Sequence, residues 1–190
     1  MTKPIPLEHG QVYHIYNRGI NRENVFIEER NYIHFLKLYG QHVAHVADMY
    51  AYCLLRNHFH LLVRIKDASN PNVAQAFSNF FNAYAKAINK AYRRTGSLFQ
   101  HPFGRTRVDD DRYFARLVVY IHRNPQKHGL IDDFRNWPHS SYHKLVSTQP
   151  TRLKREEVLA WFGGQDAFRL THDEAANERE LQPLIEEDFG

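Results

Sequence analysis

Residues 49–65 commit the chain to an antiparallel sheet. The runs 49–56 and His58 to Ile65 both have strand length and strand composition, and only Arg56-Asn57 makes the connection between them. So short a link joins antiparallel neighbours, because a parallel partner needs a crossover of a dozen residues or more. In the second run Phe59, Leu61, Val63 and Ile65 recur at every other position. Side chains two apart share a face of a strand, so these four turn into a core while His58 and His60 turn the other way together.

The flanking sequence supplies helices for that sheet. Residues 11–18 read as a first strand closed by Asn17-Arg18-Gly19. Between 28 and 46, Tyr32, Phe35, Leu36, Leu38, Tyr39 and Val43 recur at helical spacing. Ser69-Asn70-Pro71 is a helix start, and Val73, Phe77, Phe80, Phe81, Tyr84 and Ile88 make the apolar stripe of a helix over 71–93. A fourth strand is expected at 103–108. Asp109-Asp110-Asp111 then caps a helix carrying Phe114, Leu117, Val118 and Ile121, which Pro125 is expected to stop. Short helices near 154–162 and 171–180 follow. The fold class is α+β: an antiparallel sheet of four to five strands with helices at 1–147, and an acidic, mostly helical extension at 148–190.

Charge follows the same division. Residues 1–147 hold 20 Lys and Arg against 11 Asp and Glu, and 148–190 hold 5 against 10. A basic body suits a polyanion, nucleic acid above all. No acidic residue stands between Asp67 and Asp109, where Lys86, Lys90, Arg93, Arg94, Arg105 and Arg107 are interleaved with Tyr92, Phe99 and Phe103. That is a surface for single-stranded nucleic acid; a solvated helix end accounts for Lys90, Arg93 and Arg94 but not for Arg105 and Arg107. The acidic end, from Asp166 to Asp188, either solubilises the chain or folds back over the basic surface. The single cysteine, Cys53, excludes an internal disulfide and a cysteine-rich zinc site. No stretch has the character of a signal peptide or membrane span, so the cytoplasm is expected.

Two imidazoles on one sheet face are half of a divalent-metal site, although paired strand histidines are also ordinary half-buried residues. Tyr120 and Asn124 are four apart on the next helix and so share one of its faces. Taken alone, they are an interior tyrosine and a helix-terminal asparagine. Brought to the histidines, Asn124 adds an amide oxygen and Tyr120 a phenol. Two imidazoles, an amide oxygen and open positions suit Mg²⁺ or Mn²⁺, or a borderline ion such as Zn²⁺. Such an ion polarises a phosphate, and a phenol attacking it leaves a covalent tyrosyl phosphate.

His58-Phe59-His60 resembles the signature of the HUH single-tyrosine transposases. Tyr120-Ile121-x-x-Asn124-Pro125-x-Lys127-x-Gly129-Leu130 resembles the second signature of their REP-associated tyrosine transposase branch. Tyr13-His14-Ile15-Tyr16-Asn17-Arg18-Gly19, Arg94-Thr95-Gly96-Ser97-Leu98-Phe99-Gln100 and Trp137-Pro138-x-Ser140-Ser141-Tyr142 are similar to further motifs of that branch, so the likeness spans roughly 9–145. The resemblance implies a ferredoxin-like sandwich, with His58, His60 and Asn124 as metal ligands and Tyr120 as nucleophile. It implies cutting of single-stranded DNA beside a hairpin of a repetitive extragenic palindrome, storage of the 5′ phosphate on tyrosine, and strand rejoining. Divalent metal, Mg²⁺ or Mn²⁺, is the implied cofactor, hairpin DNA the partner, and a monomer the implied state. Arg18 joins the six cations above as an expected DNA contact.

Departures stand at Arg56, His122, Arg123 and His128, where relatives carry proline, an acidic residue, an apolar residue and alanine. Two other readings remain: a non-catalytic module that binds hairpins, and a metallonuclease that uses water and has no need of Tyr120.

Overall fold

Alternating apolar positions pair into one four-stranded antiparallel sheet, and the helical stripes close over its two faces. The computed structural model describes residues 5–67 and 72–174. In chain order these are β1 (Val12–Arg18), α1 (Glu29–His42), β2 (Ala47–Leu54), β3 (His58–Ile65), α2 (Val73–Ala91), β4 (Gly104–Val108), α3 (Asp111–Lys127), α4 (Tyr142–Val146), α5 (Arg155–Phe162) and α6 (Gln165–Glu174). The strands lie in the order β2-β3-β1-β4, so the first six elements form a split βαβ unit of ferredoxin-like type. The hairpin is as tight as its two-residue link requires: Leu55 N–H donates to the His58 carbonyl at 2.9 Å.

The alternation in β3 divides the molecule. Phe59, Leu61, Val63 and Ile65 join Tyr13, Ile15, Phe35, Phe77, Phe80 and Tyr84 in a core under α1 and α2. Full burial of such a side chain contributes roughly 1.5–3 kcal/mol. On the other face Leu62, Ala51 and Cys53 pack against Leu117, Val118 and Ile121 of α3, and Val158 of α5 and Phe168 of α6 complete that second core.

A chain of buried hydrogen bonds fastens α6 to α3. His172 Nδ1 faces the Phe168 carbonyl at 2.7 Å and must donate to it, so its Nε2 accepts from His122 Nδ1 at 2.8 Å. His122 Nε2 is then an acceptor, and Ser141 Oγ donates to it at 2.7 Å while accepting from Tyr52 N–H at 2.9 Å. Both imidazoles are neutral in this scheme, consistent with burial holding His122 well below its ordinary value and His172 at about 4. Arg123 adds a bond from its guanidinium to the His172 carbonyl at 2.8 Å. The two departures at 122 and 123 thus serve the extension.

Some boundaries differ from the sequence expectation. Pro125 lies inside α3, which continues to Lys127. Pro125 has no N–H for the Ile121 carbonyl, but the turn is held beyond it, where His128 N–H donates to the Asn124 carbonyl at 3.0 Å and Leu130 N–H to the Pro125 carbonyl at 2.9 Å. Helix α1 stops at His42 because Val46 and Ala47 N–H both fold back on the Val43 carbonyl. Helix α6 starts at Gln165, ahead of the expected 171, after Gly163 and Gly164 take φ of 83° and 117°. The expected start at Ser69-Asn70-Pro71 and the acidic end beyond Glu174 lie outside the described residues. Helix α2 is capped by Asn72, whose side chain accepts from Gln75 N–H at 3.0 Å. None of the described helices is long and apolar enough to cross a membrane.

Candidate active site

The site forms between the middle of the sheet and α3. His58 and His60 leave β3 on the side opposite Phe59. The β1–β3 register sets Arg18 beside His58 and Tyr16 beside His60. From α3, Asn124 Oδ1 reaches His58 Nε2 at 3.3 Å, and the Tyr120 ring meets the His60 ring edge-on with centroids 5.6 Å apart. Residues sixty and sixty-six apart in sequence are thus brought together. Lys127 Nζ stands 5.3 Å from the centre of the Tyr120 ring, and the His128 ring 5.0 Å from that of His58.

These side chains are buried: His58, His60, Tyr120 and Asn124 are at most 3% exposed. Desolvation is the first cause of the low pKa values, about 3 for His58 and well below the ordinary value for His60; neighbouring histidines push the same way. Neutral imidazoles keep the lone pair that a metal takes. Burial raises the Cys53 thiol well above its ordinary value, so it stays protonated beside His60 on β2.

The hydrogen bonds test whether a cation fits. A neutral imidazole has one N–H, yet His58 lies between two amide oxygens, Asn57 Oδ1 at 2.7 Å from Nδ1 and Asn124 Oδ1 at 3.3 Å from Nε2. One of these contacts therefore sets two acceptors face to face. Asn124 Nδ2 is meanwhile buried without a hydrogen-bond partner among the described residues. Donation from Nδ1 to Asn57 leaves Nε2 an acceptor 3.3 Å from Asn124 Oδ1, a neutral nitrogen and a neutral oxygen of the kinds that divalent ions take. The residues fit a divalent ion with neutral N and O donors. Among the described residues no group of three His, Cys, Asp or Glu side chains is placed to hold a metal, so this donor set depends on the amide.

Two features were not found from sequence. His14 Nε2 lies 2.9 Å from His60 Nδ1, with the rings stacked 5.1 Å apart. It touches a proposed ligand from behind, as an orienting partner does. Tyr16 is a second phenol near the site, its ring 6.4 Å from that of His60. It fits because Gly104 opposite has no side chain; a Cβ there would stand 2.2 Å from the Tyr16 ring. The motif Tyr13-His14-Ile15-Tyr16 contained both residues, but only the strand order reveals their neighbours.

The expected DNA contacts divide by face. Arg18 is on the histidine side, opposite His58. Lys86 and Lys90 are on α2, against the other face, and Arg93 follows that helix at φ 53°. Arg94 pairs with Glu23 and donates to Asn89 Oδ1 at 3.0 Å. Arg107 pairs with Glu8 at 2.8 Å and Asp109 at 2.6 Å, and Arg105 lies over the Phe103 ring at 4.3 Å. The structure does not gather these six around the histidines.

Sheet and site define an α+β sandwich of ferredoxin-like type with two strand histidines facing an amide and a phenol on a helix. No protein-family model matches the chain. A curated protein of Haemophilus influenzae named a putative REP-associated tyrosine transposase is 28% identical over 125 residues, covering 60% of this chain and 70% of that protein. A solved structure of a REP-associated tyrosine transposase bound to a REP hairpin superposes with a TM-score of 0.64 at 17% identity, over 79% of this chain and 88% of that one. The fold is shared with that structure, and the likeness drawn from the motifs recurs in a curated relative.

Proposed function

We propose that this chain is a REP-associated tyrosine transposase that nicks and rejoins single-stranded DNA at a hairpin of a repetitive extragenic palindrome. The observation that carries the proposal is the convergence of Tyr120 and Asn124 on His58 and His60, since no packing requirement asks for those four side chains together. Residues 1–147 are the catalytic unit, 148–190 the extension, and the protein acts as a monomer in the cytoplasm, on nucleoid DNA.

His58, His60 and Asn124 would hold Mg²⁺ or Mn²⁺, which when bound polarises the scissile phosphate and offsets charge building on its oxygens. The Tyr120 phenol oxygen forms the new P–O bond, loses its proton to water, and stays esterified to the 5′ phosphate. The broken P–O bond leaves with the 3′ oxygen, which takes up a proton to become a hydroxyl. The ester keeps the phosphodiester energy, so the reverse attack by a 3′ hydroxyl rejoins strands without a nucleotide cofactor. The Lys127 ammonium, 5.3 Å from the Tyr120 ring, favours negative charge on the attacking phenol. Asn57 and His14 orient the two imidazoles. Arg18 takes phosphate beside His58, and Lys86, Lys90, Arg93, Arg94, Arg105 and Arg107 contact backbone further along the strand.

The test is end-labelled hairpin DNA incubated with protein and Mg²⁺ or Mn²⁺, followed by denaturing electrophoresis. A covalent adduct is expected, lost in Tyr120→Phe and His58→Ala and kept in Tyr16→Phe. Cleavage that persists in Tyr120→Phe would assign the chemistry to water, and tight binding with neither adduct nor cleavage would leave a hairpin-binding module.

A further inference from the structure

The motif at 137–142 has no part in the chemistry above, yet it is built onto the strand that borders the site. Trp137 Nε1–H donates to the Leu54 carbonyl and Leu54 N–H to the His139 carbonyl, both at 3.0 Å. Ser141 holds Tyr52 twice: its N–H donates to the Tyr52 carbonyl at 2.9 Å, and its Oγ accepts from Tyr52 N–H at 2.9 Å. The segment thus lies along the outer edge of β2, whose Tyr52 and Cys53 stand opposite Leu61 and His60 of β3. From that anchored position the Ser141 hydroxyl reaches His122 Nε2 on α3 at 2.7 Å. We propose that His122 and Ser141 are positioning residues for the nucleophile, a polar strut that fixes where α3 holds Tyr120 beside the strand of His60. That role rests on the nicking reaction proposed above and adds to it how the attacking group is held.

The helix has use for such a strut. Successive residues turn by about 100°, so His122 projects from the side of α3 roughly opposite Tyr120 and Asn124. The remaining contact of α3 with the sheet is apolar, through Leu117, Val118 and Ile121 against Leu62, Ala51 and Cys53. Hydrophobic contact is non-directional, and it holds a helix down more firmly than it sets its rotation or its shift along the axis. A hydrogen bond adds a length and a direction. His122 and Ser141 are both 0% exposed, so this one is shielded from solvent. Tyr120 and Asn124 stand two residues either side of His122, and a displacement there is passed to both. A misplacement of about 1 Å at a reacting group costs on the order of a hundredfold in rate. The bond from His122 Nδ1–H to His172 at 2.8 Å ties α3 to α6 and not to the sheet, which makes its removal a control.

The experiment compares full-length wild type, Ser141→Ala, His122→Phe and His172→Phe, all at one temperature below the unfolding transition of each. With protein and Mn²⁺ in excess over end-labelled hairpin DNA, the rate of adduct formation is read in a single turnover, and hairpin affinity is measured beside it. Ser141→Ala and His122→Phe cut the strut from its two ends, and either one decides the matter if the other does not fold. Both are expected to form adduct on the order of ten- to a hundredfold more slowly, with affinity within about threefold of wild type. His172→Phe is destabilised too but keeps the strut, and should keep the wild-type rate. Wild-type rates in Ser141→Ala and His122→Phe overturn the proposal. So does a rate that falls in all three variants in step with their stability, or one that falls together with affinity. A wild type that binds hairpin and forms no adduct overturns the nicking reading, and this role with it.

Discussion

Replacing His172 by Phe keeps an aromatic ring in its place and removes both of its hydrogen bonds. The ring is fully buried, 4.2 Å from the centre of Phe168 and 5.3 Å from that of Tyr142, so an apolar ring one atom larger retains those contacts. What is lost is the acceptor for His122 Nδ1–H, and a buried donor left without a partner costs about 1–3 kcal/mol. For a chain of this size that is a fall in Tm of roughly 3–9 °C. His172→Ala adds a cavity and should cost roughly 3–5 kcal/mol. The decisive assay is a double-mutant cycle by denaturant unfolding with His122→Phe, His172→Phe and the pair. Removing both partners leaves no orphan between them, so the double variant should be about 1 kcal/mol or more better than the sum of the singles. Strict additivity would refute the shared-proton scheme. The same network sets a pH dependence. Burial lowers His172 from 6.5 to about 4, so the unfolded chain binds a proton between those values that the folded chain does not. Stability is fully present above pH 6.5 and declines as pH falls toward 4, and that slope should flatten in His172→Phe.

His14→Phe removes the partner of His60 Nδ1 and is expected to weaken Mn²⁺ binding roughly 10- to 100-fold, read by calorimetry without DNA; unchanged affinity would make His14 a packing residue. Gly104→Ala places a Cβ 2.2 Å from the Tyr16 ring and should cost about 1–3 kcal/mol in thermal unfolding as Tyr16 is displaced. Lys127→Met should slow adduct formation about tenfold while leaving hairpin affinity within about threefold, because the ammonium acts on charge that develops during attack. Equal losses in rate and affinity would instead mark Lys127 as a backbone contact.

The hairpin, the division of β3 into a core face and a histidine face, and the shared face of Tyr120 and Asn124 were all legible in sequence, because each depends on spacing within one element. What escaped depends on partners between elements. His14 meets His60 only once β1 is known to lie beside β3 in a particular register. His122 and His172 are fifty residues apart and lie on helices whose relative placement no local pattern encodes. Pro125 misled because it deprives only the Ile121 carbonyl of its helical donor, while His128 and Leu130 N–H close the turn on the Asn124 and Pro125 carbonyls. Helix α1 ended early for a related reason: Val46 was claimed by the strand pairing that follows, with Lys66 N–H on its carbonyl at 2.9 Å.

The strands that carry the site, β3 and β1, are the two inner strands of the order β2-β3-β1-β4, each hydrogen-bonded along both sides. Local fraying begins at sheet borders and seldom reaches such positions short of global unfolding. Amides of His58, His60, His14 and Tyr16 should accordingly rank among the slowest to exchange with solvent deuterium, and those of β4 and the 96–103 segment among the faster. The histidine end of the candidate site is a fixed anvil, and on the proposed function the adjustments that would admit a DNA strand fall to the helix and loops around it.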